Sequence, residues 1–445
     1  MADGKLTSWK EIARYLGWDV KTCQRWEKGR GLPVHRLEGS KKSRVIAYHE
    51  ELDLWLQENF GNNSHRSPEV KKRRKTKPGY FFAFLPIAAI LLYVFLPAKP
   101  SRRQPSDFRI ESSNLVILNA QGKELWRHDM KLEYLDGDEF YNNHFQRKKE
   151  IPTEYGSDML LPQLIIKDLN KDGRNEILFG PATENDLGVG QVICFDYEGT
   201  VLWEHKMGGK TQFGKQTFPS DFALSGFETR DLNKDGNEEI IILSHAKSEF
   251  PTQLLVLSYE NEVLGEYWNV GQFGDMEFAN IDGDGYEDIL LGGQNNEYEK
   301  PCLVVLSGNS IRGGSPQTPA FSNNTLGRGG EIYYILLPLT DVDQFFKPGI
   351  GVFRIELLRD QIIRVSTTVS QIFYVFNFSL DLHSIDLSHI YERRRNNLFS
   401  NGKIKKLIDK EIIKEDLARG ILYFDGRTKT WTNKRAMSNP WADRQ

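Results

Sequence analysis

Residues Tyr80–Leu96 read YFFAFLPIAAILLYVFL, seventeen in a row without a charge. Such a run must be buried in a core or placed in a bilayer, and a spanning helix needs roughly 17–25 apolar residues. Pro97 and Ala98 lengthen it slightly, and Tyr80 and Tyr93 suit the headgroup layer. Pro86 falls inside the run, where membrane helices tolerate a kink. The flanks decide between core and membrane. Lys71, Lys72, Arg73, Arg74, Lys75 and Lys77 precede the run, and only Lys99, Arg102 and Arg103 follow. Positive charge collects on the cytoplasmic side, so residues 80–97 are expected to span once with the N-terminus inside. No small-residue cleavage pattern follows, which argues for an anchor over a cleaved leader.

The anchor divides two unlike pieces. Residues 1–77 carry 18 Lys or Arg against 10 Asp or Glu, and the remainder carries 40 against 51. A basic piece inside suits a polyanion and an acidic piece outside suits cations. Three cysteines, Cys23, Cys194 and Cys302, imply no disulfide framework.

In residues 1–60, Ser8-Trp9-Lys10-Glu11 has the spacing of a capping box. Trp9, Ile12, Ala13 and Leu16 then recur on one helical face. Gly17 is expected to end that helix and Asp19 to cap a second. There Val20, Cys23 and Trp26 point inward, leaving Lys21, Thr22, Gln24, Arg25 and Lys28 on the other face. Gln and Arg are the side chains that read adenine and guanine edges, while Lys and Thr hold phosphates. Gly31–Tyr48 is expected to form a β-hairpin whose basic tip lies at Gly39-Ser40-Lys41-Lys42, followed by a helix over His49–Asn59. SWKEIARYLG, VKTCQRWEK, GLPVHRL and YHEELDLWL, in that order, resemble the winged helix-turn-helix of the MerR and excisionase type. The resemblance implies DNA as partner and Lys21, Thr22, Gln24, Arg25, Lys28, Arg36, Lys41, Lys42 and Arg44 as its contacts. Residues 61–79 read as a basic linker, its KKRRKTK run serving as topology signal and lipid-headgroup contact.

Beyond the anchor, residues 98–445 contain three related segments: DLNKDGRNE (Asp168–Glu176), DLNKDGNEE (Asp231–Glu239) and NIDGDGYED (Asn280–Asp288). Oxygen-bearing side chains occupy positions 1, 3 and 5, and glycine occupies position 6. Loops of this kind wrap a hard cation, and calcium takes six to eight oxygens at flexible geometry. An EF-hand would need glutamate at position 12, where Phe179, Ile242 and Leu291 stand instead. Position 9 carries the carboxylate, and the apolar run after it reads as strand. The expected ligands are Asp168, Asn170, Asp172, Arg174 and Glu176 in the first loop. In the second they are Asp231, Asn233, Asp235, Asn237 and Glu239. In the third they are Asn280, Asp282, Asp284, Tyr286 and Asp288. At position 7 (Arg174, Asn237, Tyr286) the donor is the backbone carbonyl.

A second repeat, strand-turn-strand, runs through Leu115–Trp126, Val192–Trp203 and Leu254–Trp268. Units of roughly 50–75 residues built from strands point to a solenoid or propeller. The loops resemble the FG-GAP (VCBS-type) repeats of integrin-α-like β-propellers, most clearly over 160–310, which implies Ca2+ at each loop. Glu rather than Asp at position 9 in two copies, and Asn280 at position 1 of the third, depart from that pattern. Past residue 310, strands are expected at Ile332–Leu337, Ile350–Leu358, Gln361–Val369 and Gln371–Leu382, then a helix over Ile404–Leu417 and a strand pair in Ile421–Trp431. These are read as further blades without metal loops, with one closing strand from an end of the domain.

No HExxH or GxSxG is present, and Gly209-Lys210-Thr211 lacks the earlier glycine of a phosphate loop. No enzymatic role is expected. The fold class is thus multidomain: a small helical winged head, one transmembrane helix and an all-β propeller. The expected function is a membrane-tethered transcription regulator in a bacterial cytoplasmic membrane. Its extracytoplasmic domain would sense a protein, a glycan or calcium, and its heads would pair as a homodimer. The alternative is a surface adhesion or ligand-binding protein whose cytoplasmic head binds another protein. Alkaline phosphatase, which needs an oxidising compartment for its disulfides, is expected to be active when fused after Gln445. Activity only when it is fused before Lys71 would reverse this topology.

Overall fold

The computed structural model describes residues 5–60 and 103–433, apart from short gaps at 7, 17–19, 30, 37–44, 154–155, 184–189, 219–220, 248–249, 319–322, 324–325, 327–328, 347–348, 360 and 426–429. The expected linker and membrane span therefore lie outside the described residues, as do Gly17, Asp19, Lys41, Lys42 and Arg44. Among the described residues no helix is long and apolar enough to cross a membrane. The chain divides into two compact units, Met1–Leu96 and Pro97–Gln445.

In the first unit, helices Trp9–Leu16 and Val20–Gly29 precede short strands His35–Arg36 and Val45–Tyr48 and a helix His49–Phe60. Ser8 caps the first helix, its Oγ accepting from the Glu11 N–H at 3.3 Å. Ile12, Ala13, Leu16, Cys23, Trp26, Leu52 and Trp55 form one core. A strand Lys5–Leu6, unforeseen because two residues carry no periodicity, pairs antiparallel with Val45–Tyr48.

The second unit is mostly β, a row of antiparallel sheets consistent with a β-propeller. The first sheet holds Pro105–Glu111, Asn114–Asn119 and Glu124–Asp129. The second holds Leu164–Lys167, Glu176–Phe179, Gln191–Phe195 and Val201–Lys206. The third is Phe222–Arg230, Glu239–Ala246, Thr252–Leu257 and Val263–Asn269. The fourth opens with Phe273–Ala279, Asp288–Asn295, Lys300–Leu306 and Glu331–Leu336. The fifth is Val352–Leu358, Ile362–Thr367, Ile372–Asn377 and Leu382–Leu387.

Alternating side chains of these strands feed two cores at once. Ile166, Ile177 and Ile193 pack with the first sheet's Leu115 and Ile117. Their neighbours Ile165, Leu178 and Val192 pack with Ile240, Ile242 and Leu255 of the third. Ile241 and Leu254 then meet Ile289 and Val304 of the fourth, whose Leu290 and Val305 meet Ile363 and Val365 of the fifth. Sheets stacked face to face in chain order explain why the strands read as unbroken apolar runs.

One turn recurs between the last two strands of four sheets. The N–H groups of Asn119, Asp196, Ser258 and Asn377 donate to the carbonyls of Lys123, Thr200, Glu262 and Asp381 at 2.8–3.1 Å. The turns also join sheets. Trp126 Nε1 donates to the Tyr197 carbonyl of the next sheet's turn at 3.1 Å, and Trp203 Nε1 to that of Tyr259 at 2.8 Å.

Beyond residue 310 the structure corrects the sequence reading. Gln371–Leu382 is not one strand: the turn at Asn377 breaks it, with buried Leu380 at φ +59°. Ile404–Leu417 is helical only over Lys410–Gly420, because Asp409 caps that start by accepting from the Glu411 N–H at 2.8 Å. A helix His389–Ser400, which was not foreseen, precedes it. Leu422–Asp425 and Thr430–Thr432 form no blade of their own and extend the fourth sheet. Arg312–Gly314 adds a parallel strand to the third.

Gly199 has φ +90°, and a Cβ there would lie 2.6 Å from the Trp126 ring. Gly122 occupies the equivalent turn at φ +72° with open space around it. Gly122→Ala should cost about 1 kcal/mol, the left-handed penalty alone, and Gly199→Ala at least about twice that. Urea unfolding of the two variants checks the order.

Candidate functional site

Each acidic segment joins the first and second strands of its sheet: Lys167 to Glu176, Arg230 to Glu239 and Ala279 to Asp288. The three backbones match. Position 4 is left-handed in each (Lys171 +58°, Lys234 +60°, Gly283 +79°), and so is position 6 (Gly173 +88°, Gly236 +100°, Gly285 +94°). Position 3 accepts from the N–H of position 5: Asn170 from Asp172 at 2.9 Å, Asn233 from Asp235 at 2.7 Å and Asp282 from Asp284 at 3.0 Å. Position 5 accepts from position 7, as Asp172 does from Arg174 at 2.8 Å, Asp235 from Asn237 at 2.7 Å and Asp284 from Tyr286 at 2.8 Å. Position 1 takes the Gly173 N–H through Asp168 and the Gly283 N–H through Asn280.

Position 9 is different, because it is the first residue of a doubly buried strand. Glu176, Glu239 and Asp288 are all buried and accept from the N–H groups of Leu169, Leu232 and Ile281 at 2.7–2.9 Å. Burial raises all three pKa values, and the neighbouring loop carboxylates add to the rise; Asp288 reaches about 7. Asp282 is raised too, chiefly by burial.

Among the described residues no three His, Cys, Asp or Glu groups converge as a ready metal cage. The donor chemistry nevertheless fits a hard cation. Asp168 Oδ1, Asp231 Oδ1 and Asp288 Oδ1, one in each loop, are buried without a hydrogen-bond partner. Carboxylate oxygens left so are costly unless a cation or water meets them. Position 7 enters each loop through its N–H, and the Arg174 guanidinium also lies 4.5 Å from the Tyr197 ring centre.

Two lysines overlooked in the sequence link the loops. Lys171 of the first reaches Asp231 of the second at 3.5 Å. Lys234 of the second donates to the Gly285 carbonyl of the third and lies 5.2 Å from the Tyr286 ring centre. Their signal was present, since Lys stands at position 4 in two of the three copies. A second charged cluster was not legible: Lys148 pairs with Asp275 at 2.8 Å and with Glu277. Asp275 is fully buried, its pKa pushed up to about 6 by burial, and it accepts from the Ile355 N–H of the fifth sheet.

In the first unit, Lys21, Gln24, Arg25 and Lys28 are exposed on helix Val20–Gly29 and Thr22 is half-buried, while Cys23 and Trp26 face the core. Arg36 lies on its short strand. His35 pairs with Glu51 at 2.7 Å. Tyr15 stacks on His49 and donates to Asp53 at 2.8 Å, tying the first helix to the third.

No protein-family model matches the chain, and no curated protein matches it. Among solved structures, it is similar to a protein of unknown function from Bacteroides caccae at 10% identity, covering 65% of this chain and 96% of that one, with TM-score 0.24. An exotype rhamnogalacturonan lyase, YesX, matches at 14% identity over 60% of this chain and 48% of its own, with TM-score 0.28. The chain spans about half the length of that lyase. The Dos1 propeller matches at 12% identity over 65% and 74%, with TM-score 0.25.

Removing the position-9 carboxylate orphans two N–H groups, those of Leu232 and Asn233. In chelator, Glu239→Ala should therefore lower stability by about 2 kcal/mol. Glu239→Gln keeps an acceptor, sheds a repelled charge and should cost little. Millimolar calcium should raise the melting temperature of the wild type by a few degrees and leave Glu239→Gln with a smaller rise. Equal rises would remove Glu239 from any cation site.

Proposed function

We propose that the chain is a membrane-tethered DNA-binding transcription regulator with a sensing domain outside the membrane. That domain is an FG-GAP-like β-propeller holding calcium in its three loops. The observation that carries the reading is the face of helix Val20–Gly29, where Lys21, Gln24, Arg25 and Lys28 are exposed over a core of Cys23 and Trp26. Two short helices in sequence, followed by a strand pair with a basic connection, suit a winged helix-turn-helix whose second helix enters the major groove. Arg25 and Gln24 would read base edges and Lys21 and Lys28 would hold phosphates.

Calcium is supported by the repeated donor set and by the orphaned buried oxygens of Asp168, Asp231 and Asp288. It would neutralise carboxylates at the head of each second strand and stiffen the loops. Extracellular modules of this type bind at about 10⁻⁴–10⁻³ M, which suits a compartment where the ion is abundant. A single helix through the bilayer offers little leverage for transmitting shape, so signalling would proceed by pairing two heads on adjacent half-sites.

Chromosomal fragments captured by the full-length protein test this reading. Gln24→Ala with Arg25→Ala should lower capture at least about tenfold, given 1–3 kcal/mol for each base contact. The residual binding should fall steeply with added salt. Capture unchanged by the double substitution would remove the regulator reading.

A further inference from the structure

The acidic loops occupy one end of the sheets, and a cavity of about 980 Å³ lies among residues at the other. Its walls come from the beginnings of first strands and the ends of second strands. Leu224 and Ser225 belong to the third sheet, Phe273 and Gln294 to the fourth and Val352 to the fifth. The helix Asp138–Asn143, before the second sheet, supplies Phe140. The volume falls at the upper end of the range of ligand-binding clefts, about 300–1,000 Å³.

The lining defines the ligand chemistry. Gln163, Gln272 and Gln294 bring three amides to the lining, each a donor and an acceptor by type, with Gln294 Nε2 already giving one N–H to Asn296 Oδ1 at 2.6 Å. Ser225 and His245 lie 2.9 Å apart at the wall, Oγ to Nδ1. Gln163 is 5% exposed; its Nε2 reaches the Leu224 carbonyl at 3.4 Å, while Oε1 has no protein partner. That oxygen is shut off from solvent, so Gln163 braces the wall behind the cavity, and the exposed amide of Gln272 is the one offered to a ligand. Phe140, Phe273 and Phe353 add apolar faces. His144 stacks on Phe140 with ring centres 4.2 Å apart, and burial lowers its pKa, keeping it neutral. Among the described residues the charged side chains at the wall are Asp136 and Glu139, and no Lys or Arg lines it.

Amide and hydroxyl groups, aromatic faces and a wall that holds carboxylates but no described Lys or Arg match a molecule of many hydroxyls and no negative charge. We infer that this cavity binds a short neutral oligosaccharide, which is the ligand that the sensing domain reads. The inference rests on the sensor reading for its role, and on the cavity alone for the binding.

Isothermal titration of the full-length protein, in a zwitterionic sugar-free detergent, tests it with maltotriose, cellotriose, xylotriose and mannotriose. Trigalacturonate and triglucosamine serve as anionic and cationic counterparts. Saturable binding is expected for at least one neutral trisaccharide and for neither charged one. Gly274 is exposed at the wall, and a Cβ there would meet only the Val352 carbonyl, 3.7 Å away. Gly274→Trp should therefore obstruct the cavity and abolish binding while the protein melts as the wild type does. Gln272 is exposed, so Gln272→Ala tests the site without disturbing the core and should weaken binding about tenfold, the loss of one good hydrogen bond.

No binding of any neutral trisaccharide, preference for a charged one, or undiminished binding by both variants would overturn the inference. Failure here with DNA capture intact removes the sugar site and leaves the regulator. Sugar binding with no DNA capture does the reverse.

Discussion

Burial of both faces of the second strand in each sheet is the constraint on which the β-rich unit depends. In Glu239–Ala246, Ile240 and Ile242 belong to one core and Ile241 and Leu243 to the next. Such a strand has no wet face on which to put the carboxylate that opens it. Glu176, Glu239 and Asp288 are therefore drawn out of water, and the loop before each strand must meet them. It does so by turning the N–H of position 2 back onto the carboxylate. That turn brings positions 1, 3 and 5 around the same point. The shape of the acidic loop thus follows from sheet stacking itself.

Like charges gathered in this way need relief, and the chain supplies part of it. Lys171 lies beside Asp231, and Lys234 is held by the Gly285 carbonyl. A mostly exposed ammonium at 3.5 Å contributes little, about 0–1 kcal/mol at a surface. It cannot reach the buried oxygens of Asp168, Asp231 and Asp288, which keep no partner. A lysine at position 4 would consequently compete weakly with a divalent ion and substitute for it poorly. The third loop, with Gly283 at that position, has no such lysine of its own and carries the most strongly raised carboxylate of the three loops, Asp288.

Legibility followed the repeats. Between 160 and 310 the strands after each Asp loop and around the turns at Gly199 and Asn261 could be read, because left-handed residues mark those strand ends, while the hairpin of Thr211–Phe213 with Gln216–Phe218 carries no repeat and was not foreseen. The fifth sheet has neither mark. Its loop between Leu358 and Ile362 is short and carries no acidic repeat, and its turn places Leu380, an aliphatic residue, in the left-handed position that Gly122 and Gly199 occupy elsewhere. Sequence pattern accordingly ran two strands together. Helix His389–Ser400 reads HIYERRRNNLFS, too polar for its face to show in the sequence; Tyr391 and Leu398 pack into the core, and buried Arg395 between them pairs with Asp341 at 2.6 Å. Long-range ion pairs of that kind leave no local trace, and the same holds for Lys148 with Asp275. In the first unit, steps of three and four placed Cys23 and Trp26 inside and Arg25 outside, because a short helix over one core has a single solution.

The two ends of the sheets are chemically separate. A nine-residue strand such as Phe222–Arg230 spans about 30 Å at 3.3 Å per residue, a separation at which two unit charges interact by only about 0.1–0.6 kcal/mol. Charge added at the acidic loops is therefore scarcely felt at the cavity. Any influence must pass through the packing of the strands themselves. Neutralising Glu239 removes a cost at one end of Glu239–Ala246, whose other end carries His245 of the cavity wall. Coupling by this route would be mechanical, and it would act on the stiffness of the wall, leaving the lining chemistry unchanged.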